Sequence, residues 1–409
     1  MAHINENYRK LKSGYLFPEI ARKTREFQER HPDIEIMRLG IGDTTEPLPQ
    51  TAVTAMRSKV LGLGSVGYTG YGAEQGETGL REAIAAYYRR VARTHMDVGD
   101  VFISDGAKPD TANIGSIFAA DSVVAVESPA YPVYVDSNVI AGRTGQFNED
   151  TMQYEGIVYM PCTEENGFFP DVPGKKVDII YLCRPNNPTG AGATKEQLGK
   201  FVEYALDNDA VIIYDVAYVS FINEPDCVKS IYEIEEAKQC AIEIGSFSKI
   251  AGFTGVRLGW TVVPVELRVQ GSEPGEMRNF WNRRQCTMFN GASNIAQAGG
   301  LAVLSEDGQR ECDELAVYYM DNACFIKSGL EEIGLTVYGA SNAPYAWVKI
   351  PGGMKSWDFF DKVLNEAYVV GTPGVGFGPD GEGYFRLSGF GHAENVEDAV
   401  ASIQANLKL

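Results

Sequence analysis

The sequence predicts an α/β protein with a large domain, in which helices flank a mostly parallel central sheet, and a smaller α+β domain. The first observation behind this prediction is that helical patterns alternate with short apolar runs at residues 101–104, 123–127, 177–182, 211–214 and 240–244. Such runs are typical of parallel strands that are buried on both faces. The second is that long helical patterns followed by short strands begin near residue 293. This change indicates a separate α+β layer.

A chain of 409 residues is long enough for two domains. We expect an N-terminal arm that also contributes to the small domain at residues 1–45. The large domain is expected at residues 46–292 and the small C-terminal domain at residues 293–409. A polar and aromatic arm leads into a helix expected at residues 19–29 and a strand expected at residues 36–42.

A glycine-rich stretch at residues 62–67 fits the G-x-G-x-x-G pattern of dinucleotide-binding proteins. That pattern needs a preceding strand and a following helix. Residues 51–60 have a helical pattern instead, and a loop containing Tyr71 and Glu74 follows. We therefore expect no dinucleotide site here, and the next helix is expected at residues 79–93.

The turn at residues 105–110, with Gly106, Ala107 and Lys108, lies between a strand and a helix expected at residues 111–118. Backbone N–H groups at a helix start can bind an anion, so the turn is a candidate phosphate site. Further along, residues 194–197 read Thr-Lys-Glu-Gln, a capping box that predicts the start of a helix.

The C-terminal part begins with a helical stretch at residues 293–333, which we expect Gly299 and Gly300 to interrupt. Strands are expected at residues 335–338, 345–349, 368–370 and 384–387, and Asn395 is the expected N-cap of a closing helix. Arg386 lies in the last strand with no acidic neighbour in sequence. A structural ion pair or a substrate carboxylate could explain it, since guanidinium binds carboxylate bidentately.

The charge balance limits the possible partners. Lys and Arg number 36 against 55 Asp and Glu, for a net charge of -19. This argues against nucleic acid or an anionic membrane as the main partner. No apolar run is long enough for a membrane span. Seven scattered cysteines predict free thiols in a reducing compartment, and four histidines without ligand spacing predict no metal site.

Polar residues follow three of the expected strands. Residues 183–190 read Cys-Arg-Pro-Asn-Asn-Pro-Thr-Gly, residues 215–218 read Asp-Val-Ala-Tyr, and residues 246–249 read Ser-Phe-Ser-Lys. Ligands of open α/β sheets bind beyond the carboxyl ends of the strands. Two hydroxyls and Arg257 could bind a phosphate, while Lys249 could attack an aldehyde if burial lowers its pKa.

Together these residues resemble the class I/II aminotransferases, which have the fold-type I architecture and use pyridoxal 5'-phosphate (PLP). The stretch from Ser246 to Trp260 is one of the more specific signals of the resemblance, and the full set extends from Tyr71 to Arg386. Residues 4–11, 13–18 and 249–257 are similar to the branch of this family that acts on LL-diaminopimelate in lysine biosynthesis. Transamination between LL-diaminopimelate (or tetrahydrodipicolinate) and 2-oxoglutarate (or glutamate) is the implied activity.

The resemblance implies a role for each matching residue. Lys249 would form a Schiff base with PLP and move protons, Asp215 would contact the ring nitrogen, and Tyr218 would contact the phenolic oxygen. The implied cofactor-binding residues are Tyr71, Gly106, Ala107, Lys108, Tyr131, Asn187, Asp215, Tyr218, Ser246, Ser248, Lys249 and Arg257. The implied substrate-binding residues are Tyr15, Gly42, Glu74, Lys108, Tyr131, Asn187, Asn290 and Arg386.

A homodimer with shared active sites is also implied, because Tyr71, Glu74 and Asn290 would act from the second subunit. An aminotransferase with a different or broader specificity is the main alternative. A PLP lyase and a binding protein without activity on the same fold are further ones. The expected compartment is the cytoplasm for a bacterial protein, or the plastid stroma for a plant or algal one whose transit peptide is absent.

Overall fold

The computed structural model describes residues 1–12, 16–66, 68 and 70–409. The described residues form α-helices named here α1 (Leu16–Arg30), α2 (Gln50–Gly62), α3 (Thr78–Val91), α4 (Ala107–Asn113), α5 (Val133–Ala141), α6 (Lys195–Asn208), α7 (Phe247–Ile250), α8 (Glu276–Met288), α9 (Asn294–Val303), α10 (Glu306–Glu332), α11 (Ser356–Ala367) and α12 (Ala393–Asn406). None of these helices has both the length and the apolar character needed to cross a membrane.

The strands are β1 (Met37–Arg38), β2 (Val101–Ser104), β3 (Val124–Ser128), β4 (Phe147–Asn148), β5 (Gln153–Tyr154), β6 (Ile157–Pro161), β7 (Ile179–Cys183), β8 (Val211–Asp215), β9 (Ala241–Ser246), β10 (Gly259–Val262), β11 (Thr336–Gly339), β12 (Tyr345–Lys349), β13 (Val369–Val370), β14 (Thr372–Pro373) and β15 (Tyr384–Ser388). The apolar runs of the sequence thus form strands, with ends shifted by one or two residues.

The large sheet has the order β2-β10-β9-β8-β7-β3-β6 among the described strands. Neighbouring pairs from β9 through β6 are parallel, whereas β10 is antiparallel to both β2 and β9. This confirms the mostly parallel sheet, and β10 is a strand that the sequence analysis missed. The four residues of β10 lie close behind the polar lysine segment, where no separate apolar run marks them.

A second sheet near the C terminus has the order β11-β12-β15-β14. Its core contains Trp347 and Phe385 and also includes Leu16, Ile20 and Phe27 of α1. The N-terminal helix therefore packs on the C-terminal sheet. The boundaries near residues 45 and 292 stay a prediction.

Two expected helix features are wrong. The break between α9 and α10 falls at Ser305, whose side chain caps α10, and Gly299 and Gly300 lie inside α9. A Cβ at Gly299 would come within 2.8 Å of Met56, and one at Gly300 within 2.3 Å of Leu258. These glycines thus permit close packing of α9 rather than ending it.

The other error concerns helix starts. The closing helix α12 has His392 at its N-cap, so Asn395 lies within its first turn. Helix α4 begins at Ala107, directly after the turn, and passes into a 3-10 segment at residues 114–117. The capping box of α6 is confirmed, with Thr194 and Gln197 in reciprocal hydrogen bonds. The glycine-rich stretch follows helix α2, although Gly67 itself is outside the described residues.

Candidate active site

The polar strand ends lie side by side at one edge of the large sheet. Cys183 at the end of β7 is in register with Asp215 at the end of β8, and Asp215 pairs with Ile244 of β9. A cavity of about 480 Å³ opens at this edge. It is lined by Phe17, Ile41, Gly42, Ala107, Lys108, Tyr131, Tyr134, Cys183, Asn187, Asp215, Ala217, Tyr218, Ser246, Ser248, Lys249, Thr254, Arg257, Tyr345 and Arg386.

Lys249 lies on the one-turn helix α7, which follows β9 directly and is capped by the hydroxyl of Ser246. Its ammonium group donates a hydrogen bond to the carbonyl oxygen of Gly42 and lies 4.7 Å from the centre of the Phe390 ring. Burial lowers the pKa of Lys249 to about 8, and the positive charges of Arg386 and Arg257 add to this effect. The amine is thus more readily neutral, and nucleophilic, than an exposed lysine.

An anion cradle lies beside Lys249. The hydroxyl of Ser248 accepts a hydrogen bond of 3.2 Å from Nη1 of Arg257, and Ala107 begins helix α4 on the other side. Gly106 has φ of 135°, and a Cβ there would lie 2.3 Å from Nη2 of Arg257. The space against the guanidinium therefore depends on glycine at this position.

Asp215 is a buried carboxylate with no ion-pair partner among the described residues. Its oxygens accept hydrogen bonds of 2.9 Å from the Tyr134 hydroxyl and 2.9 Å from the Ala217 backbone N–H. Burial raises the pKa of Asp215 to about 6, although both hydrogen bonds oppose this effect. A cation placed against this carboxylate would restore its usual ionisation.

Arg386 and Asn187 connect the two sheets at the cavity. Arg386 is buried, and it donates hydrogen bonds of 2.5 Å to Oδ1 of Asn187 and 2.7 Å to the Gly40 carbonyl. Its Nε has no hydrogen-bond partner in the described part of the chain. Because a buried guanidinium without a carboxylate is costly, the site is suited to receive one.

Several expected site residues lie outside this cavity. Tyr71 and Asn290 line a second, more open groove, and the backbone of Glu74 lies beside Gly291 at the same place. Tyr71 is 86% exposed. Tyr71 and Asn290 do not line the cavity that holds Lys249 in their own chain, and their action from a second subunit stays a prediction. Tyr15 lies outside the described residues.

The structure also adds residues that the sequence analysis missed, above all Tyr134 and Tyr345. Tyr134 lies in the first turn of α5, three positions after Tyr131, and the centres of the two rings are 6.3 Å apart. This spacing was a usable signal. Tyr345 comes from the second sheet, and nothing in its local sequence indicates the cavity.

The cavity fits PLP, the cofactor that the resemblance implies. The phosphate is a dianion, for which the described residues provide Arg257, two serine hydroxyls and the start of α4. The protonated ring nitrogen is a cation, and Asp215 is a buried carboxylate that has no cationic partner among the described residues. An aldehyde needs an amine whose pKa is lowered, and Lys249 has this property.

Comparison with known proteins agrees with this chemistry. A family profile described as aminotransferase class I and II matches residues 34–403. The L,L-diaminopimelate aminotransferase from Chlamydomonas reinhardtii is 49% identical, with a TM-score of 0.93 over 99% of this chain and 98% of that one. BacF from Bacillus subtilis in its substrate-bound structure is 27% identical, with a TM-score of 0.84 over 99% of this chain and 98% of that one.

A single mutant of the aspartate aminotransferase from Thermus thermophilus has the same fold and is 21% identical to this chain. Its TM-score is 0.85 over 99% of this chain and 100% of that one. The family match favours a transaminase over the lyase and the inactive binding protein that the sequence left open. Because the family profile spans most of its length, this chain belongs to the class I and II aminotransferases, which act on amino acids and 2-oxo acids with PLP.

Proposed function

We propose that this protein transfers an amino group between LL-2,6-diaminopimelate and 2-oxoglutarate, in either direction, as a step of lysine biosynthesis. The single observation that supports this choice of substrate is the 49% identity, over nearly the whole of both chains, to a protein described as an L,L-diaminopimelate aminotransferase. The N-terminal similarity at residues 4–11 supports the same substrate. An aminotransferase of different or broader amino-acid specificity is the alternative.

Bound PLP supplies an aldehyde carbon for the amino group and a ring that accepts electrons from the substrate. The protein's residues then have separate tasks. Lys249 removes the proton from the substrate Cα and holds it on Nζ, and its lowered pKa suits this work near neutral pH. Asp215 would keep the ring nitrogen protonated, and Asn187 and Tyr218 would hydrogen-bond the phenolic oxygen. Tyr131 would pack on the ring.

Arg386 binds the α-carboxylate, with its orientation set by the hydrogen bonds to Asn187 and Gly40. Diaminopimelate carries a second ammonium and a second carboxylate, so the far end of the cavity needs partners of both signs. Lys108 lines the cavity and lies 5.5 Å from the centre of the Tyr131 ring. Gly42 lines the cavity as well. The family resemblance adds Tyr15 as a substrate-binding residue, and Glu74 and Asn290 complete the pocket from a second subunit.

The substrate is tested by incubating the protein with PLP, LL-diaminopimelate and 2-oxoglutarate while glutamate is measured. The meso isomer, aspartate, alanine and lysine serve as parallel donors. Turnover confined to LL-diaminopimelate is expected. Comparable rates with aspartate or alanine would discard this substrate in favour of the broader aminotransferase. A Lys249→Ala variant should lose turnover, with the remote Lys200→Ala as control.

A homodimer with shared sites is part of the proposal, supported by the position of Tyr71 and Asn290 in a separate groove, with the backbone of Glu74 beside Gly291 of that groove. Lys249→Ala and Glu74→Ala chains should each be defective when alone. After mixing and exchange of subunits, one site of each mixed dimer carries both intact residues, so activity should return. Sites formed within one chain would predict no recovery beyond the sum of the two.

A further inference from the structure

The hydroxyl of Tyr345 lies 2.8 Å from the hydroxyl of Tyr218 at the floor of the cavity. Tyr345 is buried at the start of β12, in the second sheet, whereas Tyr218 follows β8 of the large sheet. The family resemblance gave Tyr218 a role but none to Tyr345. The contact thus joins a residue of the proposed site to a side chain that has no role so far.

The donors and acceptors around Tyr218 can be assigned from Arg386. A guanidinium only donates, so the Asn187 atom 2.5 Å from Arg386 is the carbonyl oxygen Oδ1. The Asn187 amide nitrogen consequently faces Tyr218, at 3.4 Å from its hydroxyl oxygen, and donates to it. A phenol oxygen has one proton and two lone pairs, of which Asn187 uses one.

Two arrangements remain for the pair of hydroxyls. If Tyr218 donated to Tyr345, Tyr218 would have no proton left for a group in the cavity. If Tyr345 donates, both lone pairs of Tyr218 are used, and its only proton is free for the cavity. We infer that Tyr345 is a positioning residue that donates to Tyr218 and directs the Tyr218 proton into the cavity. This inference rests on the proposed function, in which Tyr218 donates to the phenolic oxygen of PLP.

A donor that receives a hydrogen bond itself becomes a stronger donor. Tyr218 would then draw more negative charge from the phenolic oxygen, which weakens the attraction of that oxygen for the proton on Lys249. The inference therefore requires Tyr345 to lower the pH at which the absorbance of the PLP-loaded protein changes. The titratable or charged groups that face Tyr345 are Tyr218, Arg386, Tyr131 and Cys183. Those that face Lys249 are Asp43, Arg386 and Arg257.

Tyr345 also contacts the proposed carboxylate site through its ring. The guanidinium carbon of Arg386 lies 4.4 Å from the centre of the Tyr345 ring. Tyr345→Phe removes the hydroxyl and keeps this ring, so it separates the hydrogen bond from the support of Arg386. Tyr345→Leu removes both.

The test is an absorbance titration of the PLP-loaded protein, together with KM for the amino donor. Tyr345→Phe should raise the midpoint by ~0.3–1 pH unit and leave KM within about twofold. Tyr345→Leu should raise KM as well. Tyr214→Phe is the matched control, because this buried tyrosine has a hydroxyl with no hydrogen-bond partner among the described residues. The absorbance midpoint of this variant should stay at the wild-type value.

A double-variant cycle guards against general damage to the site. In a Tyr218→Phe background, Tyr345→Phe should cause no further shift of the midpoint, because the oxygen that receives its proton is gone. An unchanged midpoint in Tyr345→Phe, or an equal shift with and without Tyr218, would overturn the inference. If the Lys249→Ala protein shows the same pH-dependent absorbance with PLP as the wild type, the proposed function itself would be rejected.

Discussion

The guanidinium of Arg386 donates a 2.5 Å hydrogen bond to Oδ1 of Asn187, although the two residues are 199 positions apart in sequence. Arg386 lies on the second sheet, and Asn187 follows strand β7 of the first. The contact thus places a buried cation over the edge of the large sheet. No carboxylate among the described residues forms an ion pair with it.

Arg386→Met should lower kcat/KM for amino acid substrates by ~30- to 5,000-fold, because truncating one partner of a buried, hydrogen-bonded charge pair costs ~2–5 kcal/mol. The folded protein without substrate should keep its Tm or gain a few degrees, since the variant removes a buried charge that has no counter-ion. Steady-state kinetics and thermal unfolding measure the two effects. A fall in Tm with little change in kcat/KM would indicate a structural arginine instead.

Gly106→Ala should weaken PLP binding by at least ~10-fold. The new Cβ would lie 2.3 Å from Arg257 Nη2, and φ of 135° strains any residue with a side chain. Gly271→Ala is the matched control, because Gly271 also has a positive φ, 82°, but open space around it. Fluorescence titration with PLP compares the two. Equal affinities in both variants would mean that Gly106 is not part of the cradle.

The affinity for PLP should fall as the pH drops through about 6, where the Asp215 carboxylate takes up a proton and loses its attraction for a protonated ring nitrogen. The phosphate of PLP also titrates near this pH, so the slope must be compared with that of Asp215→Asn. The variant should bind PLP more weakly at pH 7 and show a shallower dependence on pH. Parallel curves for the two proteins would contradict the role of Asp215.

The raised pKa of Asp215 also affects the stability of the protein without PLP. Because the folded pKa of Asp215 lies above its unfolded value, its contribution to stability is complete below about pH 4 and is lost as the pH rises through 6. Asp215→Asn should therefore destabilise the protein without PLP less at pH 7 than at pH 5. Denaturant unfolding at the two pH values measures this difference.

Glu127→Gln should destabilise the protein by ~3–5 kcal/mol, because it leaves the buried Arg184 guanidinium without its counter-ion. Arg184 also donates to the carbonyl oxygens of Phe168 and Ala191 and so holds the loop that carries Asn187. Activity should fall with stability. Glu366→Gln, which breaks a partly exposed pair with Lys362, is the control and should cost less than ~1 kcal/mol.

Local patterns were sufficient for most of the fold and for the residues that follow the strands. Apolar runs predicted β2, β3, β7, β8 and β9 because a strand buried on both faces needs apolar side chains throughout. Carboxyl ends of parallel strands share an edge, so the chain order alone was enough to place Asp215 and Lys249 together. The errors at Ser305 and His392 arose where a helix end depends on packing or on weak capping signals.

The sequence by itself determined the order of the elements, the mostly parallel sheet and which polar side chains follow the strand ends, among them Asp215 and Lys249, since these depend on neighbours along the chain. Only the tertiary structure decided that Tyr134 reaches Asp215, that Tyr345 reaches Tyr218, and that Arg386 lacks an ion-pair partner in the described chain. The Tyr134 contact depends on how α5 packs on the large sheet, and the Tyr345 contact depends on how the two sheets pack together. No local periodicity records either packing.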